Sequence, residues 1–311
     1  MSDSPRRRAV PLYGLAAFAV IMLLFFLVFA PLQYYFGMTG LALTELGLLA
    51  ATLLMARFTG KKLRLIFPVR RPRFRELAGT FFIWSGSFLL VTLCTLLLTF
   101  FFPEGIMNVS SGLNSVFSSV PAPVGFVIVA VLPAICEEAM HRGLIQYTFQ
   151  PLKKDWLIVI CMGLLFGLFH MDPYRFLPTA LLGAGLSYVM QKTHNLLLPA
   201  FFHFTNNAFS FLSGMNTTSE SISQAVSLVT DKGILLSSLG SWMLFASLAP
   251  VLLFAGGYFL NKDKETFRKP GEMKTIVSVV LVLLASALLT TIGILLLVSN
   301  MDAVMKLSYP V

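Results

Sequence analysis

Residues 131–147 read VLPAICEEAMHRGLIQY. Inside this apolar run, Glu137, Glu138, His141 and Arg142 fall within two helical turns. A charge held in lipid costs roughly 2.5–3.5 kcal/mol on insertion scales unless it pairs or lines a wet cavity. So dense an ionisable cluster marks a functional centre on a membrane helix. Glu138 and Arg142 stand at i,i+4 and share one helix face. Glu137 projects about 100° away and has no arginine on its own face. Pro133, one turn earlier, frees the carbonyl of Val129 and is expected to kink the helix beside the carboxylates.

The surrounding chain explains why the cluster is read as intramembrane. Of 311 residues, 57% are hydrophobic and only 12% charged, a balance that excludes a soluble domain of this length. The expectation is an all-α polytopic bundle of about nine spans, with a core of about eight, forming a single integral membrane domain over 1–311. The apolar stretches are 11–31, 39–57, 77–102, 123–149, 156–171, 176–191, 196–213, 236–260 and 275–299. The first follows Arg6-Arg7-Arg8 and reads as an uncleaved anchor rather than a signal peptide. A net charge of +9 would suggest nucleic acid in a soluble protein. Here it reads as loop bias and attraction to anionic lipid, so the bilayer is the expected partner and nucleic acid is not. Cys94, Cys136 and Cys161 all lie within spans and read as small apolar residues, not a disulfide framework.

Alternating the nine spans places 19 lysines and arginines on one side, 8 of them within 57–75. The other side holds Arg175, Lys232 and Lys306. By the positive-inside rule the N-terminus is then cytoplasmic and the C-terminus exterior. The basic segment KKLRLIFPVRRPRFRE (61–76) reads as a topogenic, lipid-facing loop. Asn108-Val-Ser110 and Asn216-Thr-Thr218 match the glycosylation pattern in exterior loops, a pattern common by chance. Residues 220–235 carry a poor signal for a short interfacial helix. Gly163 and Gly167, and Gly183 and Gly185, are read as close-packing positions between spans.

Two further polar pairs lie in the following spans: Phe166 with His170, and His203 with Asn207. Together with EEAMHRG they fit the ordered motifs EExxxR, FxxxH and HxxxN. Residues 123–213 therefore resemble the core of the CAAX protease and bacteriocin-processing family of intramembrane proteases. His141 departs from the aromatic residue usual there. On a rise of about 1.5 Å per residue, all these polar side chains can reach one depth.

Peptide hydrolysis needs a base for water, donors for the oxyanion and a shell that orients them. Glu137 is the better base because no i,i+4 arginine claims it, whereas Glu138 with Arg142 is structural. The resemblance implies the same split, with Glu137 activating water alongside His170 and with His203 and Asn207 serving the oxyanion. The candidate catalytic set is therefore Glu137, Glu138, Arg142, His170, His203 and Asn207, with no cofactor required. A zinc alternative makes Glu137, His170 and His203 ligands around an open position, although HExxH is absent. The bland readings are a packing salt bridge for Glu138–Arg142, a turn role for His170 beside Asp172, and interhelical bonding for His203 and Asn207. His141 reads as a locally bonded neighbour and His194 as a loop residue.

The function expected is intramembrane endopeptidase action on membrane-embedded or lipidated peptides and proteins, of the CAAX type or in bacteriocin and peptide processing. A bacterial plasma membrane fits the short loops. Alternatives are a catalytically silent immunity or scaffold protein and, further off, a proton-coupled transporter. Gln146 lies two turns below Glu138 with Arg142 between them, a polar track that suggests opening to the cytoplasm. Towards the exterior the same helix offers no polar side chain, though other helices could supply a path.

Overall fold

The computed structural model describes residues 10–117, 119–215, 231–261, 273–302 and 305. Arg6–Arg8, the Asn216 sequon, residues 220–230, the basic segment 262–272 and Lys306 lie outside the described residues. Every regular element among the described residues is helical. The elements are α1 (Pro11–Phe58), α2 (Leu63–Ile66), α3 (Phe74–Phe101), α4 (Pro103–Phe117), α5 (Ala122–Leu152) and α6 (Asp155–Phe169), then α7 (Pro173–Thr193), α8 (Leu197–Met215), α9 (Lys232–Leu260) and α10 (Met273–Ser299). Five of them, α1, α3, α5, α9 and α10, are long and apolar enough to cross a membrane. The chain is an all-α polytopic membrane bundle.

All nine apolar stretches are helical, but their partition differs from the sequence reading in two places. The first two run together as the 48-residue α1, and Gly37 breaks it with φ 53 and ψ −126. That conformation is open to glycine and strained for other residues, so the break falls where a turn between two spans is expected. Residues 103–117, expected as exterior loop, form α4. Pro103 opens it without losing a helical hydrogen bond, and its face alternates buried Ile106 with exposed Glu104 and Asn108. The glycosylation pattern at Asn108 therefore sits on a helix.

α5 is the central element. Half of its most apolar window is buried, against 6% for α10, which leaves most of its leucines to lipid. One apolar cluster packs Phe18, Ile21 and Leu48 of α1 against Met140, Ile145 and Phe149 of α5 and Ile158 and Met162 of α6. A second joins Ile83 of α3 to Phe166 of α6, Leu182, Leu186 and Val189 of α7, and Phe202 of α8. Cys94, Cys136 and Cys161 are free thiols.

The α6–α7 hairpin is as tight as the small residues suggested. A Cβ on Gly163 would lie 2.8 Å from the Ala180 carbonyl oxygen, and one on Gly167 would lie 2.7 Å from that of Phe176. Met171 takes φ 51 in the connecting turn, and the Asp172 carboxylate caps α7 by accepting from the backbone N–H groups of Tyr174 and Arg175. The expected close approach is realised, but against α7 and not directly against α5.

The basic segment is less free than a lipid-facing loop. Ile66 is fully buried, and the ring of Phe67 occupies the space a Cβ on Gly143 would need. Arg70 forms a two-pronged ion pair with Glu76, and the Asn195 side chain holds the backbone of residue 70 from both its N–H and its carbonyl. These contacts fix one end of the bundle, where Lys192 also pairs with Asp155.

Overpacking a tight core costs typically about 1–3 kcal/mol. Gly163→Leu should therefore lower both Tm in detergent and membrane abundance, since the neighbour is backbone and cannot step aside. Gly112→Leu, which meets nothing within 4 Å, should leave both unchanged.

Candidate active site

α5 is not a regular helix around its carboxylates. It widens to π-type spacing over Val127–Val131 and again over Ala139–Ile145, flanking the Pro133 segment Leu132–Glu138. Such insertions are frequent at functional sites because they free backbone groups and redirect side chains. The Val129 carbonyl, which Pro133 cannot serve, accepts a hydrogen bond from Asn207 Nδ2 at 3.0 Å. The third motif is thus hydrogen-bonded to the defect that the proline creates.

Arg142 is wholly buried and well partnered. Its Nη1 donates to Glu138 Oε1 at 2.9 Å, its Nη2 donates to the Gly183 carbonyl at 3.0 Å, and Cζ lies 4.5 Å from the centre of the Phe166 ring. Only Nε is left without an acceptor. Glu138 Oε1 also contacts His203 Nδ1 at 2.8 Å, so one carboxylate oxygen joins α5 to α8. Gly183 is required here, since a Cβ would come within 2.6 Å of Phe166 Cβ.

Glu137 stands apart. Its Oε2 is buried and accepts no hydrogen bond. It lines a cavity of about 290 Å³ with His170, His203 and Asn207. Of the six candidate residues these four meet at one space, while Glu138 and Arg142 lie behind it. His170 Nδ1 lies 2.9 Å from the Phe166 carbonyl, an oxygen that can only accept. Nδ1 therefore carries the proton, and the neutral ring keeps the Nε2 lone pair as an acceptor. Asn207 has a second amide N–H beyond the one given to Val129. His141 is absent from the cavity lining. Its Nδ1 lies 3.2 Å from the Glu137 carbonyl and its ring packs among Phe18, Phe166 and Phe169. His194 closes α7 in the left-handed region.

Two cavity residues were not singled out by sequence. Glu45, on the second limb of α1, is 4% exposed, and its Oε2 has no hydrogen-bond partner. Arg175 is in the first turn of α7. Both line the cavity. The signal for Glu45 was present, since it is an acidic residue inside an apolar span, but no motif drew attention to it. Among the described residues, no three His, Cys, Asp or Glu are grouped so as to hold a metal ion.

The expected track from the carboxylates towards the basic end is filled. Gln146 is wholly buried, its Nε2 donates to the Ser187 carbonyl and Gln191 Oε1, and its Oε1 accepts from Ser187 Oγ. Gln191 passes on to Gln150 and Asp155. With every neighbour supplied by protein, this face is a zipper between α5 and α7, not a water path. The cavity extends the other way, to Gln33, Leu41, Leu113, Val116 and Met171, at the end of the bundle away from the basic connectors. Apart from Glu137, helices other than α5 and the turn at His170 supply its polar wall.

The fold and the site define an integral membrane protein with a cluster of ionisable and polar side chains buried among its helices. Residues 119–209 match the family model described as type II CAAX prenyl endopeptidase Rce1-like. That match supports the CAAX protease and bacteriocin-processing family indicated by the three motifs, and it spans α5 to most of α8. No curated protein and no solved structure matches the chain.

Removing one member of a buried ion pair costs roughly 3–5 kcal/mol. Arg142→Ala should accordingly deplete the protein from membranes, and Glu138→Gln combined with Arg142→Gln should recover more of it than Arg142→Ala yields. Equal thermal stability of Arg142→Ala and wild type in detergent would contradict the pairing. A second expectation concerns access. In a background without Cys94, Cys136 and Cys161, a single cysteine at Leu113 should react with an impermeant thiol reagent from the face opposite to one at Arg64. A cysteine at Gln146 should react from neither, and labelling there would reopen the polar track.

Proposed function

We propose that this protein is an intramembrane endopeptidase that hydrolyses peptide bonds in membrane-embedded or lipidated substrates, with Glu137 as the base for water. The observation that carries the reading is the division of labour between adjacent carboxylates. Glu138 is committed through Oε1 to Arg142 and His203, its Oε2 buried without a partner behind the cavity, whereas Glu137 makes no side-chain hydrogen bond among the described residues and lines the cavity itself. A carboxylate kept free in this way accepts the proton that water must lose as it attacks a carbonyl. His170, with Nδ1–H given to Phe166, offers Nε2 to the same water. As the tetrahedral intermediate forms, the spare amide N–H of Asn207 is the donor available for its oxyanion, with His203 beside it on the same helix face.

Glu138 and Arg142 position these groups and do not react. The ion pair holds His203 from behind, and Arg142 fixes Phe166 one helical turn from His170. Pre-organisation of this kind lowers the reorganisation needed when charge develops in the transition state. The match to an Rce1-like endopeptidase model supports peptide hydrolysis, and lipidated C-terminal peptides are the substrate class it suggests. Bacterial peptide or bacteriocin processing is the same chemistry on a different substrate. With the basic connectors taken as cytoplasmic, the cavity faces the exterior half of the bilayer, and the substrate segment enters from that half.

Glu137→Gln keeps the shape of the side chain and removes its basicity. The variant should accumulate and melt as wild type does, while peptides cleaved in wild-type membranes persist uncut in a comparison of membrane-peptide profiles. Identical profiles would favour the immunity or scaffold reading. Exhaustive chelation should leave the purified enzyme active. Activity lost on chelation and restored by stoichiometric zinc would instead make His170 and His203 metal ligands.

A further inference from the structure

Glu45 is a buried carboxyl that the mechanism above does not use. It lies on α1, outside the segment 119–209 that matches the family model. The second limb of α1 packs directly on the Leu132–Glu138 segment of α5. Glu45 thereby faces the same cavity as Glu137, His170 and Arg175. Among the described residues no ion pair or side-chain hydrogen bond supports it, and its Oε2 is an orphan acceptor inside the protein. Its neighbours Gln33 and Thr44 are engaged with each other, Thr44 also donating to the Gly40 carbonyl. A carboxyl buried at such cost without a partner needs a reason, and the shared cavity supplies one.

Two carboxyl groups that share one cavity oppose each other's ionisation, because the second charge is repelled by the first. One proton therefore stays in the pair. Glu137 is next in the chain to Glu138, whose carboxylate pairs with Arg142, and it shares the cavity lining with Arg175. Glu45 belongs to no ion pair among the described residues. The negative charge belongs beside the cations and the proton on the other carboxyl.

We propose that Glu45 is a second catalytic carboxyl, which gives its proton to the leaving amine of the scissile peptide bond across the cavity from Glu137. The proposal rests on the reading of Glu137 as base. Water attacks the carbonyl carbon as Glu137 takes one of its protons, forming the tetrahedral oxyanion. That intermediate collapses, the C–N bond breaks, and the departing nitrogen takes the proton of Glu45. Glu137 then passes its new proton to Glu45. Peptide and water have become acid and amine, and the pair is reset.

The same-shaped variant Glu45→Gln tests the pair and the role separately. Glu45 has no partner to lose, so this variant should melt at or above the wild-type Tm. In the purified full chain in lipid at neutral pH, the infrared stretch of a neutral carboxyl group should disappear in Glu45→Gln and persist in Glu138→Gln. A spectrum unchanged by Glu45→Gln overturns the shared proton, whether or not any peptide is cleaved. The role is read on the peptide that profiling identifies as cut by wild type and spared by Glu137→Gln. General acid catalysis contributes at least about 10²-fold, and it matters less when the leaving group is better. Glu45→Gln should therefore lower kcat on the peptide by about 10²-fold, and by at least tenfold less on its ester analogue. Glu137→Gln should lower both. Equal losses on peptide and ester, or no loss on the peptide, overturn the assignment of Glu45 while leaving Glu137 as base. A membrane-peptide profile that Glu137→Gln leaves the same as wild type, so that no such peptide exists, rejects the base itself.

Discussion

A guanidinium with no access to water is the constraint around which this bundle is built. Arg142 sits in the middle of α5, and its charge is neutralised by Glu138, bonded by the Gly183 carbonyl and covered by the Phe166 ring. Those partners come from α5, α6 and α7, and Glu138 extends the set to α8 through His203. A buried charge tolerates little misplacement of its partners, since the desolvation cost is met only by good geometry. Four helices are thereby held in one register. The small residues serve the same end: Gly183 admits Phe166, and Gly163 and Gly167 bring α6 close enough on α7 to deliver that ring.

The site itself depends on a defect. Pro133 leaves the Val129 carbonyl without its helical donor, and Asn207 supplies one from α8. A free carbonyl at membrane depth must be satisfied by protein, so the defect fixes the facing helix. The cavity beside it collects Glu137, His170, His203 and Asn207, with Glu45 and Arg175 arriving from other elements. Side chains bonded to neighbouring helices, such as Glu138 through its Oε1 and Gln146, lie outside it. The unbonded carboxylate oxygens of Glu45 and Glu137 belong to residues that line it.

The two ends of the bundle are unlike. At the basic end, Arg70, Glu76, Asn195, Gln191 and Asp155 lock the connectors and close the seam between α5 and α7. At the other end α4 and the break at Gly37 border the cavity. This asymmetry places rigidity behind the ion pair and access in front of it. It also explains why a polar residue below Glu138 was a poor guide to access: Gln146 is polar to bond α7, not to hold water.

The sequence by itself determined the class. Composition excluded a soluble domain, and the apolar stretches located every long helix except α4, because membrane spans are selected by local hydrophobicity. The i,i+4 pairing of Glu138 with Arg142, and the freedom of Glu137, followed from helix periodicity, which needs no tertiary information. The proline at 133 announced an unserved carbonyl on its own helix. Only the tertiary structure decided what answers these local facts. That Asn207 serves Val129, that His203 shares Glu138, and that Gln146 is sealed by α7 depend on which helix faces which. α4 escaped notice because its half-polar face resembles a loop until Ile106 finds a core to enter. Glu45 escaped because its meaning is positional: a lone carboxyl on α1 matters only once α1 is packed on α5, some ninety residues away in the chain. Local chemistry can be read along a strand of sequence, but a shared cavity is a property of helices brought together.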